Sequence, residues 1–363
     1  MKKIVLSGYY GFNNLGDEAV LESILNNIRH SLGELHITVL SANPAETARL
    51  HDVQAVKRTA PWPVLKALWQ CDVLISGGGS LLQDVTSHLS IFYYLSLILA
   101  GKLMGKRVMV YSQGIGPIRK PLNRLVTRHI LSRVDAITVR EPNSRDDLAR
   151  IGLDPGRIVI TADPVISLSP GNDAMLTAWL RECPGYVDGA PLVGLAFRGQ
   201  DMAFGAVEKL VQVIRSLRAQ RDVNILLIPY YREQDAMVLD SLENLAEGLV
   251  IPIRRSLRVH EMLALTAQLD LLVGTRLHSL IVSAVCGTPM IAVSYDPKIE
   301  YFMRTIGRTV FSDVRSFEPA LLLSEMLHTL EGGRAQMEPV RRDVERLRDT
   351  LHQNEAALRQ LLQ

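Results

Sequence analysis

The sequence predicts an α/β protein of two parallel-sheet domains facing a cleft, followed by a helical tail. Three observations predict it. At 363 residues the chain exceeds what one hydrophobic core usually supports. Short β-branched runs alternate with amphipathic helical patterns, the mark of βαβ units in parallel sheets. The alternation also stops and restarts, so the boundaries expected are 1–168 for the first domain, 169–190 for a linker, 191–316 for the second domain and 317–363 for the tail.

The elements follow in order. In the first half, residues 4–7, 36–40, 72–76, 108–112, 136–139 and 158–160 read as strands with helices between them. The apolar stretch 91–100 is about half the length a bilayer span needs and is closed by Lys102, so it reads as a buried helix. The linker holds Pro170, Gly171, Pro184, Gly185 and Gly189 around a short helix at Trp179. The second series comprises 192–196, 225–228, 249–251, 271–273 and 290–293. After Phe317 the pattern is wholly helical, and 340–362 places apolar residues at helical spacing among Arg, Asp and Glu, a tail expected to pack across the domains.

Composition narrows the function. Apolar residues make up 47% and charged residues 21%, a globular balance. Forty Lys and Arg against 38 Asp and Glu leave a net charge of +2, which gives no electrostatic footprint for nucleic acid. Two local stretches, 119–133 and 140–157, are rich in Arg. They suit a phosphate-bearing substrate or an anionic membrane surface, although a solvated helix face accounts for most such charges. Cys71, Cys183 and Cys286 are too few and too scattered for a disulfide framework or a zinc site, which implies a reducing, cytoplasmic setting. At the start, Asn13, Asn14, Asp17 and Glu18 follow the first apolar run too soon for a signal peptide. No His-x-x-x-His pair or Asp-x-Asp loop suggests a metal, and neither a Gly-x-Ser-x-Gly elbow nor a Walker loop is present.

In open α/β sheets ligands gather at the loops that follow strands. The first such loop, Gly8-Tyr-Tyr-Gly-Phe-Asn-Asn-Leu-Gly-Asp-Glu18, lacks the dinucleotide glycine spacing. Its acidic pair would repel a pyrophosphate at the helix start. A hydroxylated acceptor fits better, with Asp17 taking a proton and Asn14 orienting a hydroxyl beside Gly16; the alternative is that Asn14 or Asp17 caps the helix. Ser76-Gly-Gly-Gly-Ser80, which contains Gly78 and Gly79, lets backbone N–H groups approach an anion or a sugar, or is an ordinary tight turn. Gln113-Gly-Ile-Gly-Pro117 lands at a third strand end. Arg140, at another, is either a forked anion ligand or a salt-bridge partner of Glu141 or Asp146.

The sharpest feature lies in the second half. Gly274-Thr-Arg-Leu-His-Ser279 follows a strand and opens a helix, putting Arg276, Leu277 and His278 where unpaired N–H groups and the helix dipole already favour an anion. Two cationic side chains there call for a ligand. Arg198 and Lys298 end neighbouring strands and can serve the same region.

Taken together, these motifs resemble the polysaccharide pyruvyltransferase family, in the cell-wall branch often called CsaB. The resemblance is carried by Gly-Phe-Asn-Asn-Leu-Gly-Asp-Glu-Ala19, Ser-Gly-Gly-Gly-Ser-Leu-Leu-Gln-Asp84, Ser-Gln-Gly-Ile-Gly-Pro117 and Gly-Thr-Arg-Leu-His-Ser279, in that order. It implies two Rossmann-like domains in a GT-B-like arrangement, the first for the acceptor and the second for the donor. The implied activity moves pyruvate from phosphoenolpyruvate, a co-substrate, to a sugar as a ketal, without a cofactor. The acceptor implied is a β-linked N-acetylmannosamine on a lipid-linked precursor at the inner membrane face, with peripheral membrane contact, and the polymer made would anchor S-layer proteins. Arg276, Leu277, Lys298 and Arg198 would then bind the donor. Asn14, Gly16, Gly78, Gly79, Ser80 and Gln113 would bind the acceptor, and His278, Asp17 and Arg140 would form the catalytic set. Groups on different domains imply closure during turnover.

Two other readings are weighed against this one. A nucleotide-sugar glycosyltransferase wants an acidic residue near His278 for the donor ribose, and the sequence there offers Ser283, Cys286 and Thr288 instead, with Asp296 further on. A non-catalytic carbohydrate-binding protein has little use for a buried Arg and His, and 6% aromatic residues is low for stacking on sugars.

Overall fold

The computed structural model describes residues 1–85, 90–199 and 205–363. The chain divides into one unit of residues 1–167 and 347–363 and a second of 168–346.

Unit 1 is built on a seven-stranded sheet: β1 (Lys3–Tyr10), β2 (His36–Ser41), β3 (Gln54–Lys57), β4 (Val73–Gly77), β5 (Arg107–Gln113), β6 (Ala136–Val139) and β7 (Ile158–Ile160). Their order is β3-β2-β1-β4-β5-β6-β7 and every pairing is parallel. Central strands such as β1 and β4 are buried along nearly their whole length because helices cover both faces, which explains their continuous apolar runs. The connecting helices are α1 (Leu15–Leu32), α2 (Pro44–His51), α3 (Pro61–Gln70), α4 (Ser90–Leu103), α5 (Pro121–Leu131) and α6 (Pro142–Arg150). Proline opens α2, α3, α5 and α6, where its missing N–H costs nothing and its fixed φ suits the first turn. The strand β3, absent from the sequence reading, is a short, half-exposed edge strand whose Gln-Ala-Val-Lys carries no apolar run.

Unit 2 holds a five-stranded parallel sheet in the order β10-β9-β8-β11-β12. The linker helix is α7 (Ala174–Arg181). The strands are β8 (Leu192–Ala196), β9 (Asn224–Leu227), β10 (Ile251–Pro252), β11 (Leu271–Gly274) and β12 (Met290–Ala292). Around them lie α8 (Ala206–Gln220), α9 (Arg232–Ala246), α10 (Val259–Gln268), α11 (Leu277–Cys286), α12 (Pro297–Thr305) and α13 (Pro319–Gly332). The tail continues as α14 (Glu338–Thr350) and α15 (His352–Leu362).

The final helix belongs to unit 1. Glu355 accepts from the Tyr111 hydroxyl at 2.9 Å, and Asn354, fully buried, accepts from Thr138 Oγ1 at 2.6 Å and donates to Ser112 Oγ at 2.9 Å. Buried polar groups with complete partners fix one seating for this helix. Among the described residues no helix is long and apolar enough to cross a membrane.

Candidate functional site

In unit 1 the candidate residues gather at the C-terminal ends of β1, β4, β5 and β6. Asn14 caps α1: its side chain accepts from Gly16 N–H at 3.1 Å. The cap therefore accounts for that asparagine oxygen. Asp17 and Glu18 differ in task. Glu18 turns back to accept Gly11 N–H at 2.7 Å and so ties the loop to the helix. Asp17 lies against the glycine run, since a Cβ on Gly79 would sit 2.9 Å from its Oδ1.

The glycines are there for packing. Gly78 and Gly79 have φ of +71° and +62°, and a Cβ on Gly78 would meet Val20 Cγ1 at 1.9 Å. Gly78 N–H donates to Tyr111 O at 3.1 Å, in keeping with the tight-turn alternative for this group. Gly114 donates to Gly79 O at 2.9 Å and passes directly over Arg140.

Arg140 takes the salt-bridge alternative with Glu141, and adds partners beyond it. Its side chain is 4% exposed; Nη1 binds Asp163 Oδ2 at 2.7 Å, Nη2 donates to Ser80 Oγ at 3.1 Å, and Nε lies 3.6 Å from Glu141 Oε2. Asp146, the other partner considered, lies against Arg145. Burial opposes the guanidinium charge, and Glu141 and Asp163, with a smaller contribution from Asp17, more than offset it. Arg140 thus ties the β4, β6 and β7 loops together. Gln113 is fully buried and donates to Ser76 Oγ at 3.0 Å, fixing strand ends in the same way. Three carboxylates around one guanidinium make this region acidic, suited to hydroxyl groups and hostile to phosphate.

Arg58 was missed by the sequence reading. It stacks on Tyr93 at 4.4 Å from the ring centroid, with Phe12 and Tyr94 slightly further, and donates to Gly8 O at 3.2 Å. It pins the β1 loop through an aromatic pile that no local pattern announces.

Burial pushes the Glu18 carboxyl up to about 7; the Gly11 N–H opposes this, and Asp17 and Glu46 add to it. An ordinary glutamate ionises near 4.5, so the folded protein holds this proton where the unfolded chain has lost it. The stability so gained is complete below about 4.5 and lost as pH rises through about 7. Glu18→Gln should therefore remove on the order of 3 kcal/mol of pH dependence across that window. Urea midpoints at about pH 5 and about pH 8 check it, and an unchanged slope refutes it.

In unit 2 the corresponding strand ends converge on Asp235, another residue the sequence reading missed. It is 1% exposed and accepts Tyr231 N–H at 2.9 Å, Tyr230 N–H at 3.2 Å, Gly199 N–H at 3.4 Å and an Arg276 Nη2. The first counter-charge of Arg276 is thus internal, and an acid does stand beside the α11 turn. That overturns the sequence argument from its absence. Asp235 is occupied by four donors, however, and is no ready ligand for a ribose.

Arg276 is the N-cap of α11, and its Nε is buried with no hydrogen-bond partner among the described residues. Leu277 and His278, both half-buried, form the first helical turn, where N–H groups have no intrahelical acceptor. Gly274 is required here, because a Cβ would fall 2.9 Å from Ser279 Oγ and 3.0 Å from Ala196 O. Arg198 N–H donates to Thr275 Oγ1 at 2.9 Å, which brings the β8 loop alongside. At the end of the adjacent β12, Asp296 caps α12 by accepting Lys298 N–H at 3.0 Å. Arg276, Leu277, His278, Arg198 and Lys298 are thus carried on neighbouring strand ends of one sheet.

Elsewhere in unit 2, ligand atoms of Asp173, His260 and Glu261 lie within 4.8 Å of one another. The carboxylates there already cap helices: Asp173 accepts Leu176 N–H, and Glu261 accepts Arg258 N–H and pairs with Arg255.

The fold, two parallel-sheet α/β domains, is GT-B-like. The chain aligns with the UDP-GlcNAc 2-epimerase of Neisseria meningitidis bound to UDP-GlcNAc (TM-score 0.64, 9% identity, 97% of this chain and 100% of that one). It also aligns with Anabaena HepE in complex with UDP (TM-score 0.66, 13% identity, 99% and 100%). At such identities the likeness is one of fold. In sequence, the polysaccharide pyruvyl transferase profile matches residues 14–297, and the amylovoran biosynthesis protein AmsJ of Erwinia amylovora is 24% identical over 95% of this chain and 96% of that protein. The chain belongs to the polysaccharide pyruvyl transferase family.

Proposed function

We propose that the protein transfers the pyruvyl group of phosphoenolpyruvate to two hydroxyls of one sugar in a polysaccharide precursor, forming a cyclic ketal and releasing phosphate. Family membership supports transfer of a pyruvyl group. The observation that carries the donor assignment is the α11 turn of unit 2, where a buried guanidinium Nε with no hydrogen-bond partner among the described residues adjoins a helix N-terminus. The acidic character of the unit 1 cluster supports an acceptor role there.

Chemically, His278 delivers a proton to the methylene carbon of the enol, leaving positive charge on the neighbouring carbon. Arg276, Lys298, Arg198 and the Leu277 N–H hold the donor's carboxylate and phosphate. One sugar hydroxyl bonds to that carbon and gives its proton to Asp17. A second hydroxyl then displaces phosphate, and its proton leaves with the phosphate. One phosphoenolpyruvate and one diol become one ketal and one phosphate. Asn14, Gly16, Gly79 and Ser80 border the acceptor; Arg140, Gly78 and Gln113 position these loops. The acceptor proposed is a terminal N-acetylmannosamine of a lipid-linked cell-wall precursor on the cytoplasmic side.

The test is incubation with phosphoenolpyruvate and a panel of acceptors, N-acetylmannosamine-terminated and otherwise, following phosphate release and the mass gain of one pyruvyl ketal. Release with the first acceptor alone supports the full reading. Release with another acceptor moves only the sugar, and none across the panel rejects the activity. Phosphoenolpyruvate at about a hundred times its Kd should stabilise the protein by about 2.7 kcal/mol, whereas protection by a UDP-sugar alone would favour the glycosyltransferase reading.

A further inference from the structure

We infer that helices α3, α4 and α5 of unit 1 form a face that docks on an anionic phospholipid surface. The four crossovers from β3 through β7 run in one direction across the sheet. Right-handed connections place their helices on one side, and α4 packs between α3 and α5. In a chain whose charges nearly balance, these three helices contain not one Asp or Glu.

What the face shows to solvent is unusual for a sheet-covering layer. Trp62 is 81% exposed and Trp69 68%, on α3; Leu122 and Leu125, on α5, are 62% and 63% exposed. Large apolar side chains arrayed on neighbouring helices mark an interaction surface, and tryptophan is the residue favoured at a membrane–water boundary. Between and beside them stand Lys66, Arg119 and Lys120, all exposed. The carboxylates that border the tract are engaged elsewhere. Asp84 is buried and accepts Arg119 N–H, Lys120 N–H and Asn123 Nδ2, while Asp135 pairs with Lys102. Asp84 thus fixes the start of α5 while leaving its cationic side chains outward.

Charge decides the occupant. A second copy meeting this face symmetrically would set cations against cations, whereas lipid phosphates complement them and a bilayer interface accepts the indoles and leucines. Either component alone gives weak adsorption, and the combination gives stable but reversible docking.

The experiment is flotation of the full-length protein with vesicles of phosphatidylcholine, alone or mixed with phosphatidylglycerol. The protein should float only with the anionic vesicles and should be released as salt is raised. Lys66→Gln/Lys120→Gln should weaken binding about thirtyfold, two lysines' share of the attraction. Trp62→Ser/Trp69→Ser should abolish flotation, with the circular dichroism and the melting temperature of each variant matching the parent. Equal binding to neutral vesicles, no binding at all, or unaltered binding by both folded variants overturns the proposal. So does a dimer that the tryptophan variant dissolves without any vesicle binding, which would assign the face to a second copy. None of these outcomes depends on pyruvyl transfer.

Discussion

Asp235→Ala is expected to lower the unfolding free energy by about 3–5 kcal/mol, the usual effect of stripping a buried charge of its partner. The carboxylate is 1% exposed and serves four donors from three strand-end loops. Alanine would leave three backbone N–H groups without that acceptor and the Arg276 guanidinium without its counter-charge. Because the same carboxylate sets the position of Arg276, protection by phosphoenolpyruvate should fall along with stability. Urea denaturation gives the first quantity and thermal shift with the donor gives the second. Arg276→Met in the Asp235→Ala background separates them: removing the stranded charge should restore part of the stability, while donor protection should vanish. A loss below about 1 kcal/mol for Asp235→Ala would mean that the loops hold without it.

That residue also marks where the sequence stops being legible. The strands of both sheets other than the half-exposed edge strand β3 could be read because parallel strands buried on both faces leave continuous apolar runs, as in residues 73–77 and 192–196. Loops at strand ends were legible for a related reason: their glycines are demanded locally, by positive φ at Gly78 and Gly79 or by close approach at Gly274. The pairings among these loops were not. Asp235 meets Arg276 across 41 residues, and Arg140 meets Asp163 and Ser80 across 23 and 60. Such separations are set by strand order, here β9-β8-β11 and β4-β5-β6-β7. Composition cannot supply that order, so Arg140 could be read as an anion ligand or as a partner of the nearby Glu141 or Asp146, but not as the partner of Asp163 and Ser80. The run Tyr230-Tyr231-Arg-Glu-Gln-Asp235 did carry a faint signal, an acid in the first turn of a helix that follows a strand, where it can take the exposed N–H groups.

If unit 2 holds the donor as proposed, His278→Ala should separate binding from chemistry there. The side chain sits in the first turn of α11, two positions beyond Arg276, yet the backbone N–H groups of that turn and the guanidinium survive its removal. Phosphoenolpyruvate should therefore still protect the variant against thermal unfolding to nearly the parent extent, while phosphate release falls by about 10²–10⁴, the range a positioned general acid contributes. Arg276→Ala should show the opposite balance, with donor protection lost first. The contrast follows from what each group can offer. A guanidinium keeps its charge throughout and can only hold an anion, whereas an imidazole can carry a proton to carbon and be recharged from solvent. If His278→Ala loses donor protection and retains turnover at saturating donor, the histidine is an anion ligand and the proton must come from another group.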